Sequence, residues 1–277
     1  MKKGTLYIVA TPIGNLEDMT FRAVRILKEV DVIAAEDTRH SRKLLTHFGI
    51  SNSLTSYFDH NKQVKGELIL DKLCHGLSVA LVSDAGTPCI SDPGFQLVRD
   101  AVKMGITVVP VPGACAAVAV LSVSGLPTDS YAFEGFLPNR KGKRREKISS
   151  LSEEKRVLVF YESPNRLLDT LSDIFDLLGD RTVVVAREVT KIYEEFLRGP
   201  VSEILHGIAG KQVRGEIVLM VAPSDKNAAA GIDEIEGLLE KYLCIDGISV
   251  KDAVRKVAME SGQSKSRVYE AALQIKK

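Results

Sequence analysis

The sequence predicts an α/β protein built as two α/β domains followed by a small helical tail. Three observations carry this. Short β-branched runs alternate with amphipathic segments through both halves of the chain, glycine- and proline-rich turns separate them, and a small polar stretch at 223–231 precedes a purely helical periodicity. In the N-terminal part Leu6–Ala10, Val32–Ala35, Val79–Val82 and Thr107–Val111 read as strands. Between them Phe21, Val24, Leu27 and Val30 recur at helical spacing behind Thr20, a capping residue, and Leu68, Ile69, Leu73 and Leu77 recur likewise. A third helix is expected near Pro93-Gly94, with Asp92 as its cap and Pro93 in its first position. Repeated strand–helix–strand units imply a mainly parallel sheet covered on both faces.

The second half has its own alternation. Val157–Tyr161, Thr182–Ala186 and Ile217–Ala222 are near-continuous apolar strands, and Tyr193–Leu197 alternates as one strand of a hairpin would. Leu167, Leu168, Leu171, Ile174 and Leu178 mark a helix that ends before Gly179. Pro223–Gly231 has the composition of a linker. Beyond it three helices are expected, one capped by Ser249 and one by Ser264, joined at Ser261-Gly262-Gln263 in a helix-turn-helix-like arrangement. A plain helical appendage fits this tail as well. The expected division is 1–112, contributing ligand loops, 113–224, completing the cleft, and the tail at 232–277.

Composition narrows the class. Of 277 residues 45% are apolar and 26% charged, and the net charge is +1, so no molecule-wide basic field exists for nucleic acid, although a local patch can. The longest mostly apolar run, Val108–Leu121, is broken by two prolines and a glycine, and a membrane span needs about 20 apolar residues. The expectation is therefore a cytoplasmic protein without a membrane segment. Cys74, Cys89, Cys115 and Cys244 form no C-x-x-C pair and the histidines are scattered, so no metal site is expected. Walker, zincin and nucleophile-elbow patterns are missing from the sequence.

Four loops after strands have compositions suited to ligand contact, and open α/β sheets bind ligands beyond the carboxyl ends of their strands. They are Ala10-Thr11-Pro12-Ile13-Gly14-Asn15, then Glu36-Asp37-Thr38-Arg39, then Ser83-Asp84-Ala85-Gly86-Thr87-Pro88 running on to Ser91-Asp92-Pro93-Gly94, and Pro110–Ala117. Their glycines and alanines allow backbone amides close to a ligand, and their prolines stiffen the loops. None of the four contains Lys, which argues against a triphosphate and for a neutral or zwitterionic adenine-containing ligand read by backbone and by Asp84.

These runs, TPIGNLEDMT at Thr11–Thr20, EDTR at Glu36–Arg39, SDAGTPCISDPG at Ser83–Gly94 and VPGACAA at Val111–Ala117, resemble the tetrapyrrole methylase superfamily of S-adenosylmethionine-dependent methyltransferases. GFLP at Gly135–Pro138, FYESPNR at Phe160–Arg166 and REVTK at Arg187–Lys191 narrow the resemblance to its branch acting on small-subunit ribosomal RNA at a cytidine 2′-hydroxyl. The resemblance covers essentially the whole chain. It implies two α/β domains of the class III methyltransferase type, a homodimer, S-adenosylmethionine as cofactor, and the small-subunit RNA or the assembled subunit as partner. It places cofactor contacts on Pro12, on Ser83, Asp84, Ala85, Gly86 and Thr87, on Cys115 and Ala116, and on Glu162 and Val189. Precorrin-type members carry G-x-G-x-G-D where this chain has TPIGNLED, a departure that favours RNA over a tetrapyrrole.

Residues 139–147 add independent support, with six basic residues against one acid. Clustered cations gain from counterion release on a phosphate backbone. Arg140, Lys141, Lys143, Arg144 and Arg145 are the expected RNA contacts, with Arg39 on the other domain, although a solvated charge run explains such a stretch too. A ribose hydroxyl is a poor nucleophile, so a positioned base would help. Lys191, Glu188 and Asp37 are the candidates, with Glu162 a fourth, and structural ion pairing would explain any of them equally. Two other readings remain at this point: methylation of a tetrapyrrole or other small metabolite, and a non-catalytic RNA-binding assembly factor.

Overall fold

The first sheet is assembled from β1 (Thr5–Val9), β2 (Val32–Ala35), β3 (Ser53–Ser56), β4 (Val79–Val82) and β5 (Thr107–Val111). In the computed structural model, which describes residues 2–58, 62–224, 232–245 and 248–275, these strands lie in the order β3-β2-β4-β1-β5 with every pairing parallel. The period of two along each strand sorts side chains to opposite faces. Ile33, Ala35, Ala80 and Val82 meet α1 (Phe21–Glu29) and α2 (Thr38–His47) on one face, through Ala23, Ile26, Leu27 and Leu45. Val32, Ala34, Val79 and Leu81 meet α3 (Lys62–Cys74) and α4 (Phe95–Lys103) on the other, through Ile69, Leu73, Leu97 and Ala101. Each fully buried Leu or Ile contributes about 1.5–3 kcal/mol relative to exposure. Thr20 caps α1 as expected, accepting the Ala23 N–H at 3.1 Å.

Expectations for two helices in this region are corrected. Asp92 does not cap the third helix and Pro93 is not its first residue. α4 starts at Phe95 behind Gly94, whose φ of +147° only glycine adopts without strain. Leu77 lies beyond the end of α3 and Leu68 points outward, 52% exposed. β3, Ser-Leu-Thr-Ser, is a polar edge strand that an apolar pattern could not reveal.

α5 (Ala116–Val123) leads on to the second sheet, made of β6 (Tyr131–Phe136), β7 (Val157–Glu162), β8 (Thr182–Arg187), β9 (Glu195–Pro200) and β10 (Ile217–Val221) in the order β6-β7-β10-β8-β9. Only β6–β7 is parallel, which accords with the more antiparallel character expected here. β9 begins two residues later than the alternation at 193–197 suggested. α6 (Lys141–Ser150), α7 (Leu167–Leu178) and α8 (Val201–Ile208) pack on Leu158, Phe160, Val183, Val185 and Leu219. α7 ends at Gly179, as its spacing predicts. The basic run forms α6, in which Arg144 and Ile148, one turn apart, give a buried face.

Residues 225–231, most of the expected linker, lie outside the described residues. The tail contains α9 (Ile232–Glu240), a π-helical segment at Lys241–Ile245, α10 (Val250–Ser261) and α11 (Lys265–Ile275) around a small core of Ile235, Leu239, Val254, Val257, Val268 and Ala272. Ser249 caps α10, and Gly262, left-handed at its end, turns the chain toward α11. Two compact units result, Met1–Ala119 with Thr190–Ile192, and Val120–Val189 with Tyr193–Lys277. Among the described residues no helix is long and apolar enough to cross a membrane.

Candidate active site

β1 and β4 are neighbours, so the first and third loops leave the sheet side by side. They pair directly: the Thr11 N–H donates to the Gly86 carbonyl at 2.9 Å and the Gly86 N–H to the Thr11 carbonyl at 3.1 Å. Gly86 sits at φ +81°, a left-handed conformation that residues with side chains rarely adopt, so this bridge calls for glycine. The buried Thr11 hydroxyl donates to the Ser83 carbonyl at 3.2 Å. Thr87 Oγ1 donates to the Ala114 carbonyl at 3.1 Å, tying the third loop to the fourth. The fourth loop closes on the first, where the Ala10 N–H donates to the Val111 carbonyl at 3.2 Å. The second loop is held by Asp84, whose Oδ1 accepts the Asp37 N–H at 3.0 Å. All four loops are thereby joined into one cradle beyond the carboxyl ends of β1, β2, β4 and β5. Ala85 is exposed on it, Asp84, Thr87, Cys115 and Ala116 are half-buried, and Pro12, Ser83 and Gly86 lie beneath the surface.

The acids of the cradle differ sharply. Asp37 caps α2, accepting the Arg39 N–H at 2.7 Å, and that bond holds its carboxyl below the ordinary range, which makes it a weak base. Asp92, taken from sequence only as a cap, is half-buried beside Ser83 and Asp84. Burial, followed by the Asp84 charge, pushes its carboxyl up against the lowering effect of Ser83. The repeated Ser-Asp of SDAGTPCISDPG was the available signal for it. The Cys89 thiol is pushed up to about 11 by burial and by Asp92, so it stays protonated.

Among the described residues, non-glycine residues with left-handed φ are Cys89 and Ser91 in the third loop and Glu188 and Thr190 after β8. Strained backbone of this kind concentrates at functional sites. Thr190 Oγ1 accepts the Asn15 N–H at 3.2 Å, and a Cβ at Gly14 would fall 2.4 Å from Lys191 Cγ, so the Lys191 stem lies against the first loop. Glu188 sits in the second unit, where its Oε1 accepts the Glu216 N–H at 3.0 Å and its own N–H donates to the Glu216 carbonyl. Val189 is half-buried.

Glu162 is 2% exposed at the end of β7. Its carboxylate accepts from the Thr170 hydroxyl at 2.7 Å and the Ser163 N–H at 2.8 Å, with Arg166 Nε at 3.4 Å. Arg166 in turn donates to Asn139 Oδ1 and to the Leu137 and Pro138 carbonyls, clamping the Gly135–Asn139 turn. The Glu162 side chain is thus committed to Thr170, Ser163 and Arg166 inside its own unit.

The basic run divides by burial. Arg140, Lys141 and Lys143 are exposed, whereas Arg144, 3% exposed, binds Asp173 at 2.8 Å, and Arg145 binds Asp173 at 2.6 Å and Asp176 at 3.3 Å. The expectation that Arg144 meets RNA is corrected on this ground, since its guanidinium is buried against α7, and the Arg145 guanidinium also ties α6 to α7. Arg39 extends from the second loop with its side chain 92% exposed.

Comparison with known proteins agrees with this geometry. The sequence profile of the Tetrapyrrole (Corrin/Porphyrin) Methylases matches residues 5–205. A protein of Halalkalibacterium halodurans named ribosomal RNA small subunit methyltransferase I is 50% identical over 272 residues, covering 96% of this chain and 94% of that one. A protein of the same name from Pseudomonas aeruginosa is 46% identical, covering 99% and 98%. Among solved structures, a cobalt precorrin-4 methyltransferase aligns at TM-score 0.60 with 16% identity, covering 79% of this chain and 94% of that one. A uroporphyrin-III C-methyltransferase of Thermus thermophilus complexed with S-adenosylhomocysteine aligns at 0.55 with 19% identity, covering 79% and 97%. At these identities the likeness is one of fold.

Proposed function

The chain belongs to the tetrapyrrole methylase family, and from that premise we propose that it methylates a cytidine 2′-hydroxyl of small-subunit ribosomal RNA, with S-adenosylmethionine as donor. The observation that carries the substrate is the near-full-length likeness, at 46–50% identity, to proteins named for small-subunit ribosomal RNA. The cradle fits the donor chemically. Ala85, Gly86 and Ala116 leave room for an adenosyl group against the backbone, the four loops themselves contribute no Lys, and Asp84 and Asp92 are carboxylates to balance a cation. When bound, S-adenosylmethionine supplies an electrophilic methyl on a positively charged sulfur.

Pro12, Ser83, Asp84, Ala85, Gly86, Thr87, Cys115 and Ala116 hold the cofactor, and Glu162 and Val189 contribute through backbone. Alignment of acceptor oxygen and donor carbon supplies much of the rate of such a displacement. The hydrogen-bonded loops meet that demand, since they are already fixed to one another. Lys191, whose stem lies against Gly14, takes the hydroxyl proton in its neutral amine form, and Glu188 orients the segment that carries it. Asp37 serves as a cap rather than a base. Arg39, Arg140, Lys141 and Lys143 meet the RNA backbone.

The division of labour follows 1–112 for the cofactor loops, 113–224 for the rest of the cleft and 232–277 for the tail, in a cytoplasmic homodimer. Mapping ribose methylation on small-subunit RNA from a deletion strain, with and without this chain restored, tests the reading. One cytidine 2′-O-methyl group that disappears and returns is the expected result. An unchanged map would overturn it.

A further inference from the structure

Helix α6 is a poor helix by itself. Its N-cap, Arg140, makes no side-chain cap bond, its first turn contains Gly142 and no acid, and Lys141 and Lys143 place positive charge at the positive end of the helix dipole. What orders it is tertiary, and the ties run to the C-terminal helices through a ladder of charges. Lys265 at the start of α11 donates to Asp176 Oδ1, and Asp176 Oδ2 lies 3.3 Å from Arg145 Nη1. Arg145 Nη1 lies 2.6 Å from Asp173 Oδ1, and Asp173 Oδ2 lies 2.8 Å from Arg144 Nε. Asp169, 3.7 Å from Arg144, ends the ladder. The three acids occupy positions i, i+4 and i+7 of α7 and so share one face.

The tail meets α7 elsewhere too. The Lys265 ammonium lies 5.4 Å from the centre of the Phe175 ring, and a Cβ at Gly179 would fall 2.7 Å from the Gly262 carbonyl and 3.3 Å from the Ser264 nitrogen. Groove reading by a helix-turn-helix needs the start of the second helix free. Here the turn and the first residue of α11 are docked on α7 instead.

We propose that the C-terminal helices act as a brace: Lys265, through Asp176, fixes Arg145 and with it the orientation of α6, so that Arg140, Lys141 and Lys143 are presented to the RNA. Lys265 and Asp176 are then positioning residues. The brace rests on the reading of α6 as an RNA contact, and two separate readouts distinguish the failure of each.

The test uses the full chain with Lys265→Met, Asp176→Asn and the conservative Lys265→Arg. Hydrogen exchange of the α6 amides should quicken by about fivefold in Lys265→Met and Asp176→Asn and return toward wild type in Lys265→Arg. On small ribosomal subunits KM should rise by a similar factor with kcat unchanged. Unaltered α6 exchange in Lys265→Met would overturn the brace. Faster exchange with KM unmoved would overturn its part in presenting α6. A triple variant, Arg140→Ser, Lys141→Ser and Lys143→Ser, that leaves KM in place would instead overturn the RNA reading of α6, while the exchange result still decides the brace.

Discussion

In the first unit the loops beyond the parallel strands are joined by backbone groups, two threonine hydroxyls and one carboxylate. In the second, strand ends and helices are joined by ionised side chains lying largely inside the fold. The first arrangement ties loop to loop through backbone groups and short polar side chains rather than through ion pairs. The second relies on ion pairs: Glu162, Arg166, Arg144 and Arg145 are charged residues in conspicuous motifs whose charges are answered within the unit, the two α6 arginines by Asp173. A charged residue in a motif therefore points to a ligand only when its partner is not already part of the fold.

The comparison can be broken most forcefully at Asp173. Asp173→Ala leaves the buried Arg144 with only the more distant, exposed Asp169 and should cost about 3 kcal/mol or more in urea unfolding. Asp84→Ala, which removes one bond to a half-buried backbone N–H, should cost about 1 kcal/mol. Equal losses would erase the contrast. A second expectation sharpens it at α6. Replacing the exposed Arg140, Lys141 and Lys143 with Ser should lower the slope of log affinity for RNA against log salt by roughly 0.7–0.9 for each phosphate that is no longer neutralised, leaving stability nearly unchanged. A slope equal to wild type would make the exposed cations a solvated face.

The smallest effect is a pH dependence at Asp92. Burial raises its carboxyl in the fold, so the folded chain holds that proton more tightly than the unfolded one. Ionised Asp92 then costs stability, and the cost grows as pH rises from the ordinary carboxylate value of 3.8 through the raised one. Asp92→Asn should melt at a higher temperature than wild type at pH 7, with the difference closing below pH 3.8. A constant difference across that range would assign the effect to packing.

Much of this was legible in the sequence. β2 and β4 fall where their apolar runs lie, and α7 ends at the glycine that its spacing indicates, because burial on both faces of a parallel sheet and on one stripe of a helix leaves a direct mark on composition. β3 left none, since a polar edge strand is defined by its neighbour rather than by its own residues. The four cradle loops were visible as motifs, but their mutual bonds, such as Asp84 to the Asp37 N–H, join residues far apart in sequence. The basic run misled for a related reason. Arg144 and Arg145 are answered by Asp173 and Asp176, 29 and 31 positions away, and no local pattern announces that pairing.

The most direct test of the cradle as the cofactor site is calorimetric titration of S-adenosylmethionine into the wild-type chain, Asp84→Ala and Glu162→Gln. A carboxylate that faces the ligand should matter to the dissociation constant, and one bound to Thr170, Ser163 and Arg166 should not. Affinity should weaken tenfold or more, about 1.4 kcal/mol, in Asp84→Ala and stay within about twofold of wild type in Glu162→Gln. An unchanged dissociation constant in Asp84→Ala, or a large loss confined to Glu162→Gln, would contradict the assignment of the cradle.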